Sequence, residues 1–546
     1  MSEVILRYNE GFSWNSENGI YVKGYIYLED EVYICKSLIS VFENITSYEE
    51  FKEAIRVMNG NFSVVIKRKN ETWISVDRAR SIPLFYSEDG RYISDCVETI
   101  IDNMNCVEFD NISISEQILS SFIYGSNTAI KGIKQLQLGE CARIVDNKIE
   151  TNIYYRHFSD KRLKQESELL NEFNVVTNSI FNKLIKSLNG RRVIIPLSGG
   201  YDSRYIAAML KKLNYDNVVC YTYGDENQYE VKYSKIIAEQ LGYEWHFIKY
   251  TDSEWNKIIN ETFYSYCDYC HNYSSVPHIQ DFIALKSLKD KGIIKNDDII
   301  VNGFCGDLPA GSFVKSKEDE KYLSYNKSSI TDYILKENYN HIPIKEHQKL
   351  QIHKRINQEI NMIDIEVDSF DNFTTVYESW FTGARPSKWV VNSNRVYEFF
   401  GMEWRMPLWD NEFLEFWYSV PNDLRRSTYL YQKYLFETLF TPMNIDMKKP
   451  SFTNSLSITE KKSLKRLIKL KVLHFITIIQ LYFGVTIYKR NDVNNYAALS
   501  RVLTRKIKNK KCLNHKNIYA HQVMAFWWCE RIYGYENIKQ IFKESR

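Results

Sequence analysis

The chain has 546 residues, 44% of them hydrophobic and 25% charged, with a formal net charge of +3. That length allows two or three domains with well-buried cores, and those shares are ordinary for a soluble globular protein. The near-neutral balance by itself implies neither a nucleic-acid partner nor a membrane. Ten scattered cysteines in a chain of this size suit reduced thiols better than a disulfide framework. No charged, then apolar, then small-residue segment opens the sequence, so a cytoplasmic location is expected.

The first 155 or so residues read as β-rich. Tyr21–Tyr27, Phe62–Ile66, Trp73–Val76, Leu84–Tyr86 and Cys141–Val145 are alternating or apolar runs between turn residues, and Asp146-Asn147 closes the last of them. Ser159–Glu168 is polar and charged, as a linker would be. From about Leu169 helical periods alternate with apolar strands at Val193–Leu197, Val218–Tyr223 and Ile299–Val301. That alternation predicts a doubly wound parallel sheet, whose ligand sits at the carboxyl ends of its strands. Beyond Glu398 the chain reads as mainly helical.

Cys267-Asp268-Tyr269-Cys270-His271 matches a haem-attachment pattern, but no export signal or second metal-spaced pair accompanies it, and it reads as chance. Val472–Tyr488 is apolar yet broken by His474, Gln480 and Gly484, which predicts a buried or interfacial helix. Basic residues recur at Arg501, Arg505, Lys506, Lys508, Lys510 and Lys511. They form either a solvated face or a surface for an anionic substrate or membrane.

The most informative stretch is Pro196-Leu197-Ser198-Gly199-Gly200-Tyr201-Asp202-Ser203-Arg204, set between the strand and a helical run. Its glycines let backbone N–H groups approach an oxyanion, Ser198 and Ser203 add hydroxyls, and the helix start adds a favourable dipole. Asp202 would repel phosphate unless a cation lay between them, which argues for Mg²⁺. No Gly-Lys-Ser/Thr follows, so this is not a Walker loop. It resembles the pyrophosphate-binding (PP) loop of enzymes that cleave ATP to AMP and pyrophosphate.

Further segments resemble the asparagine synthetase family in the same order along residues 20–455. Asn59-Gly60-Asn61-Phe62, Val76-Asp77-Arg78, Pro83–Tyr86 and Gly132–Glu140 resemble its glutaminase domain. Tyr221–Gly242, Gly303-Phe304-Cys305-Gly306-Asp307, Glu403–Asp410 and Lys449-Pro450-Ser451-Phe452 resemble its synthetase domain. The resemblance implies an α/β protein in three parts. Residues 1–158 would be a degenerate, glutaminase-like α+β sandwich, 169–455 a PP-loop synthetase domain, and 456–546 a basic helical extension. It implies ATP and Mg²⁺ as cofactors, adenylation of a small-molecule carboxylate, and displacement of AMP by ammonia or an amine. Asp202 and Asp307 would bind the metal, and Ser198, Gly199, Gly200 and Ser203 would cradle phosphate. Leu197, Tyr223 and Gly303 would border the adenosine, and Lys449 would stabilise the transition states. On the residues alone, the competing readings are a turn carboxylate for Asp307 and a surface lysine beside Lys448 for Lys449.

Two departures shape the expected activity. The family's nucleophilic cysteine is Ser2 here, and the segment with its glutamine-gripping arginine is missing, so glutaminase activity is not expected. Phe304 replaces a Glu or Tyr that assists deprotonation, leaving that task to Glu378 or a substrate group. The block Arg385–Asn392 resembles synthetase-like proteins of surface-polysaccharide clusters, which implies a sugar uronate. The basic, partly apolar C-terminal region suits peripheral contact with a membrane or lipid-linked saccharide and equally a helical subdomain. A lasso-peptide or β-lactam type of cyclase and a silent nucleotide-binding scaffold are the competing readings.

Overall fold

The computed structural model describes residues 2–29, 31–158, 164–339, 344–449, 496–508 and 520–542. The alternating N-terminal runs pair as antiparallel strands. Ile20–Leu28 and Asn59–Lys67 run in register from Ile20 opposite Ile66 to Tyr27 opposite Asn59. Glu71–Val76, Glu140–Val145 and Lys148–Ile153 extend the sheet on one side. One face of it, through Val65, Ile74, Ala142 and Ile144, packs on Leu84, Tyr86, Ile93 and Leu136 of a second sheet region. The opposite face, through Val64, Ile66 and Trp73, is covered by Tyr48, Phe51 and Ile55 of helix Tyr48–Val57. A period of two thus feeds two apolar layers. Asp146 and Asn147 take φ of 48° and 62°, the geometry of a two-residue hairpin, and the chain returns along Lys148–Ile153.

A five-stranded sheet follows, ordered Glu244–Lys249, Val218–Gly224, Val193–Pro196, Ile299–Val301 and Glu403–Arg405, with every neighbouring pair parallel. Alternate residues again separate. Ile194, Val219, Tyr221 and Ile300 enter one core, and Val193, Ile195, Cys220, Ile299 and Val301 enter the other. Both faces are therefore covered. From its central strand Val193–Pro196 the chain winds first to one edge and then to the other. The switch lies between Val193–Pro196 and Ile299–Val301, where the loops leaving both strands open a crevice.

The helical expectation beyond Glu398 needs one correction, because Glu403–Arg405 is the fifth strand. Its charges are tolerated there since Arg191 clasps Glu403 with two bonds of 2.8 and 2.9 Å, and Arg405 donates to Glu403 at 3.0 Å. Helix Glu166–Leu188 starts inside the polar stretch expected to be a linker, where Gln165 and Glu168 form a capping box.

Cys267, Cys270 and His271 are all buried in helix Glu261–His271, with His271 packed on Trp528 at 5.1 Å. They are core residues. Helices Tyr496–Lys506 and Ala520–Tyr533 join that same core. Arg501 is ion-paired with Asp252 and is not part of a free basic face. The run Val472–Tyr488 lies outside the described residues. Among the described residues, no helix is long and apolar enough to cross a membrane.

The N-terminal sheets grip the parallel-sheet region through polar contacts. The Asn59 side chain donates to Asp410 at 2.9 Å and accepts from the Asn411 N–H at 3.0 Å. Arg78 lies 2.9 Å from Glu415, and Lys183 of helix Glu166–Leu188 holds Asp410 from its own side at 3.0 Å.

Candidate functional site

The crevice is built by two loops. The first, Leu197–Gly200, ends at Gly200, the N-cap of helix Tyr201–Lys212. Its hydroxyls shape it from within. Ser203 Oγ accepts from the Ser198 N–H at 3.0 Å and lies 3.1 Å from Ser198 Oγ, while the Gly200 N–H donates to Ser198 Oγ at 3.0 Å. Gly199 is required by packing, since a Cβ there would stand 3.0 Å from the Cα of Glu230. The second loop, 302–307, runs over the first helical turn. A Cβ on Gly303 would stand 2.9 Å from the Cβ of Asp202 and 3.0 Å from the Ser203 nitrogen. Only glycine lets the two loops touch.

Asp202 stands in the first turn of its helix. Its Oδ1 accepts from the Tyr431 hydroxyl at 2.9 Å and its Oδ2 from the Asp307 N–H at 3.3 Å. Burial, and then the neighbouring Asp307 carboxylate, push its carboxyl above the ordinary value, while Lys449 works against them. Two acids facing one crevice call for a cation. Mg²⁺ binds through one or two carboxylates and completes its shell with phosphate oxygens and water. Asp202 and Asp307 fit that donor set. Among the described residues no cluster of three or more His, Cys, Asp or Glu suits a metal held by protein alone.

Lys449 reaches the same place from far along the chain. Its Nζ lies 4.5 Å over the Tyr201 ring, and its backbone N–H donates to the Tyr201 hydroxyl at 3.3 Å. A Cβ on Gly200 would stand 3.9 Å from that Nζ. The residues Pro450, Ser451 and Phe452 that follow it in the sequence motif lie outside the described residues. Buried Arg204 anchors the approach: it donates to the carbonyls of Ile445 and Met447 at 2.8 Å each and to Gly199 at 2.9 Å.

The expected adenosine border is more varied. Leu197 is buried with its side chain in the core, its N–H bonded to the Tyr221 carbonyl and its own carbonyl accepting from the Thr222 hydroxyl at 2.5 Å, so both its backbone groups are already engaged. Tyr223 stacks on Tyr250 at 5.0 Å, and its hydroxyl donates to Asp281. Asp281 also accepts from Tyr221 at 3.0 Å and Tyr397 at 2.8 Å. Phe304 is buried against Trp409 at 4.8 Å. Glu378 does not take over as the missing base. It is buried, and both its oxygens accept from Arg425 in bonds of 2.7 and 3.1 Å, so neither is turned to the phosphate loop for that task.

Sequence reasoning passed over Tyr431, Arg204 and Asp281 as site residues. Arg204 carried a signal: it ends the loop motif and heads an otherwise apolar helical run with no acid at helical spacing. Tyr431 carried none, because only folding brings it to Asp202.

No curated protein matches the chain in sequence. Among solved structures, it is similar to the B. subtilis glutamine phosphoribosylpyrophosphate amidotransferase complexed with ADP and GMP, at 10% identity and a TM-score of 0.16, over 54% of this chain and 58% of that one. A structure of the allosteric regulatory enzyme of purine biosynthesis is similar at 10% identity and a TM-score of 0.17, over 57% and 58%. The chain thus spans 58% of the length of each, and at such TM-scores neither likeness bears on fold or function. The asparagine synthase family model matches residues 188–444, from the end of the helix before the central strand almost to Lys449. Residues 188–444 thus form a domain of the asparagine synthase type.

Proposed function

We propose that the chain is an ATP-dependent, AMP-forming amide ligase acting on a small carboxylic acid. A carboxylate oxygen of the acid attacks the α-phosphorus of ATP, and the bond to pyrophosphate breaks. Ammonia or an amine then attacks the activated carbonyl carbon, AMP leaves with the oxygen, and the nitrogen gives up a proton. One observation carries this reading: Asp202, Asp307 and Lys449, more than a hundred positions apart in sequence, converge on one glycine-rich loop. A site that merely binds adenosine has no physical need for two acids and a lysine around its phosphate loop.

Mg²⁺, when bound by Asp202 and Asp307, would neutralise charge on the leaving pyrophosphate. Lys449 would add a mobile ammonium on the other side. Ser2 supports a nitrogen source outside the chain's own N-terminal domain, since its hydroxyl is buried and donates to the Gly90 carbonyl at 2.7 Å. A sugar uronate is the acid favoured by the Arg385–Asn392 block.

ATP–pyrophosphate exchange with Mg²⁺, across amino acids, uronates and UDP-uronates, tests the reading. The expected result is exchange that requires one acid and vanishes in Asp202→Ala. Failure to bind ATP, or exchange unchanged in Asp202→Ala, would refute it.

A further inference from the structure

Lys449 stands beside Lys448, and two aromatic rings separate their ammonium groups. Lys448 Nζ lies 6.0 Å over the ring of Phe436, and Lys449 Nζ lies 4.5 Å over the ring of Tyr201. The two rings pack on each other at 5.5 Å. Tyr201 is the first residue of the helix that leaves the phosphate loop. Its hydroxyl also accepts from the Lys449 N–H at 3.3 Å. One side chain of the loop thus meets both the backbone and the ammonium of Lys449, and its ring face attracts the charge.

Helix Tyr229–Leu241 starts against the same loop. A Cβ on Gly199 would stand 3.0 Å from the Cα of Glu230 and 3.3 Å from the ring of Tyr229. A Cβ on Gly200 would stand 3.9 Å from both Cε and Nζ of Lys449. Glu230 and Lys449 therefore flank adjacent residues of one loop. Glu230 is half-buried, and its Oε1 accepts from the Tyr229 hydroxyl at 3.0 Å. Burial raises its carboxyl above the ordinary value, while the Tyr229 hydroxyl and then the charge of Lys449 lower it. Among the described residues, Lys449 is the one charged side chain that acts on it. A carboxylate beside an oxyanion loop repels phosphate, an unfavourable place for a residue that only packs. Directed at the ammonium of Lys449, the same charge serves the loop.

We infer that Tyr201 and Glu230 are positioning residues that hold the Lys449 ammonium at the phosphate loop. Tyr201 acts by its ring and hydroxyl, and Glu230 by its charge, which lowers affinity for nucleotide. Lys448, on Phe436, is outside this arrangement. The inference rests on the ligase reading for what Lys449 does, and on the contacts above for where it is held.

The test measures kcat for ATP–pyrophosphate exchange, and affinity for a non-hydrolysable ATP analogue with Mg²⁺. Both are read in wild type, Tyr201→Leu, Tyr201→Phe, Glu230→Gln and Lys448→Ala, and for the first and third variants also in Lys449→Ala. Tyr201→Leu and Glu230→Gln should each lower kcat by about three- to tenfold. Neither should lower it further once Lys449 is Ala. Tyr201→Phe, which keeps the ring, should recover most of the loss, and Lys448→Ala should leave kcat unchanged. Glu230→Gln should tighten the analogue by about threefold, where loss of a packing residue would weaken it. That affinity needs no acid substrate, so it decides the inference even where no acid supports exchange. If Tyr201→Leu lowers Tm through its packing on Phe436, Glu230→Gln, which keeps the side-chain shape, carries the test alone. Losses that add to that of Lys449→Ala, or a weaker analogue in Glu230→Gln, overturn the inference. The ligase reading fails separately, by absence of ATP binding in wild type or by exchange unchanged in Asp202→Ala.

Discussion

The hydroxyl of Tyr431 donates to Asp202 Oδ1 at 2.9 Å, a contact spanning 229 positions of sequence. It leaves Oδ2 turned to the Asp307 N–H and fixes which way the carboxylate faces. The tyrosine ring is itself immobilised, 5.6 Å from Trp417 and 6.0 Å from Tyr205. Tyr431→Phe keeps that packing and removes only the donor. The Mg²⁺ concentration for half-maximal exchange should rise by about tenfold, the usual effect of losing a group that orients a metal ligand. Thermal unfolding should show the fold intact, so a fall in Tm without a Mg²⁺ effect would contradict this role.

Gly303 bears on Asp202 from the other side. A methyl group there would stand 2.9 Å from the Asp202 Cβ and 3.0 Å from the Ser203 nitrogen, and neither atom can swing away. Gly303→Ala should therefore displace the phosphate loop at a cost of about 1–3 kcal/mol, typical of overpacking. ATP affinity, read by calorimetry, should fall by about tenfold or more. Gly190, with nothing within 4 Å of its Cβ direction but a φ of 72°, is a useful contrast. Gly190→Asn tolerates that φ and should leave ATP affinity unchanged.

Arg204 holds Lys449 in reach without approaching any substrate itself. Its three bonds to the carbonyls of Gly199, Ile445 and Met447 link the phosphate loop to the segment that leads to Lys449. Arg204→Lys keeps the charge but cannot span three carbonyls with one ammonium group. We expect kcat for exchange to fall by about tenfold with KM for ATP little changed, since about 1.4 kcal/mol of lost positioning corresponds to that factor. Equal losses in Arg204→Lys and Lys449→Ala, with no further loss in the double variant, would place both on one route. Additive losses would separate them.

What could be read from sequence follows the physical range of each signal. The loop Ser198–Ser203 was legible because its chemistry depends on neighbouring residues in one turn. The strands were legible where alternation ran for five or more residues, as in Asn59–Lys67. Glu403–Arg405 escaped, since three residues show no period and its Glu403 is satisfied by Arg191 from the connection before the central strand. Asp307 and Lys449 stood out only through family resemblance, as neither carries a local pattern of its own. Tyr431 depends wholly on tertiary contacts, which no spacing announces.

Three buried histidines give the fold a distinct response to acid. Burial lowers His157 and His271 to about 3 and His278 to about 4, against ordinary values near 6.5. A lowered folded-state value means that the unfolded chain takes up protons first. The stability these neutral rings contribute is complete above pH 6.5 and is lost as pH falls from there toward 3 to 4. Each ring should cost about 1.4 kcal/mol per pH unit in that window. Buried Glu140, raised to about 7, works in the opposite direction, losing stability as pH rises from its ordinary value through 7. The histidine effect is therefore best isolated in a difference. His271 packs on Trp528 and its Nδ1 accepts the Tyr273 N–H at 3.0 Å. His271→Phe keeps the ring contact and loses that bond at every pH, a constant offset. Denaturant unfolding at pH 7 and pH 5 should show wild type losing about 2 kcal/mol more than His271→Phe on acidification. Equal losses in both proteins would mean that His271 is already protonated, or free to reach water, in the folded state.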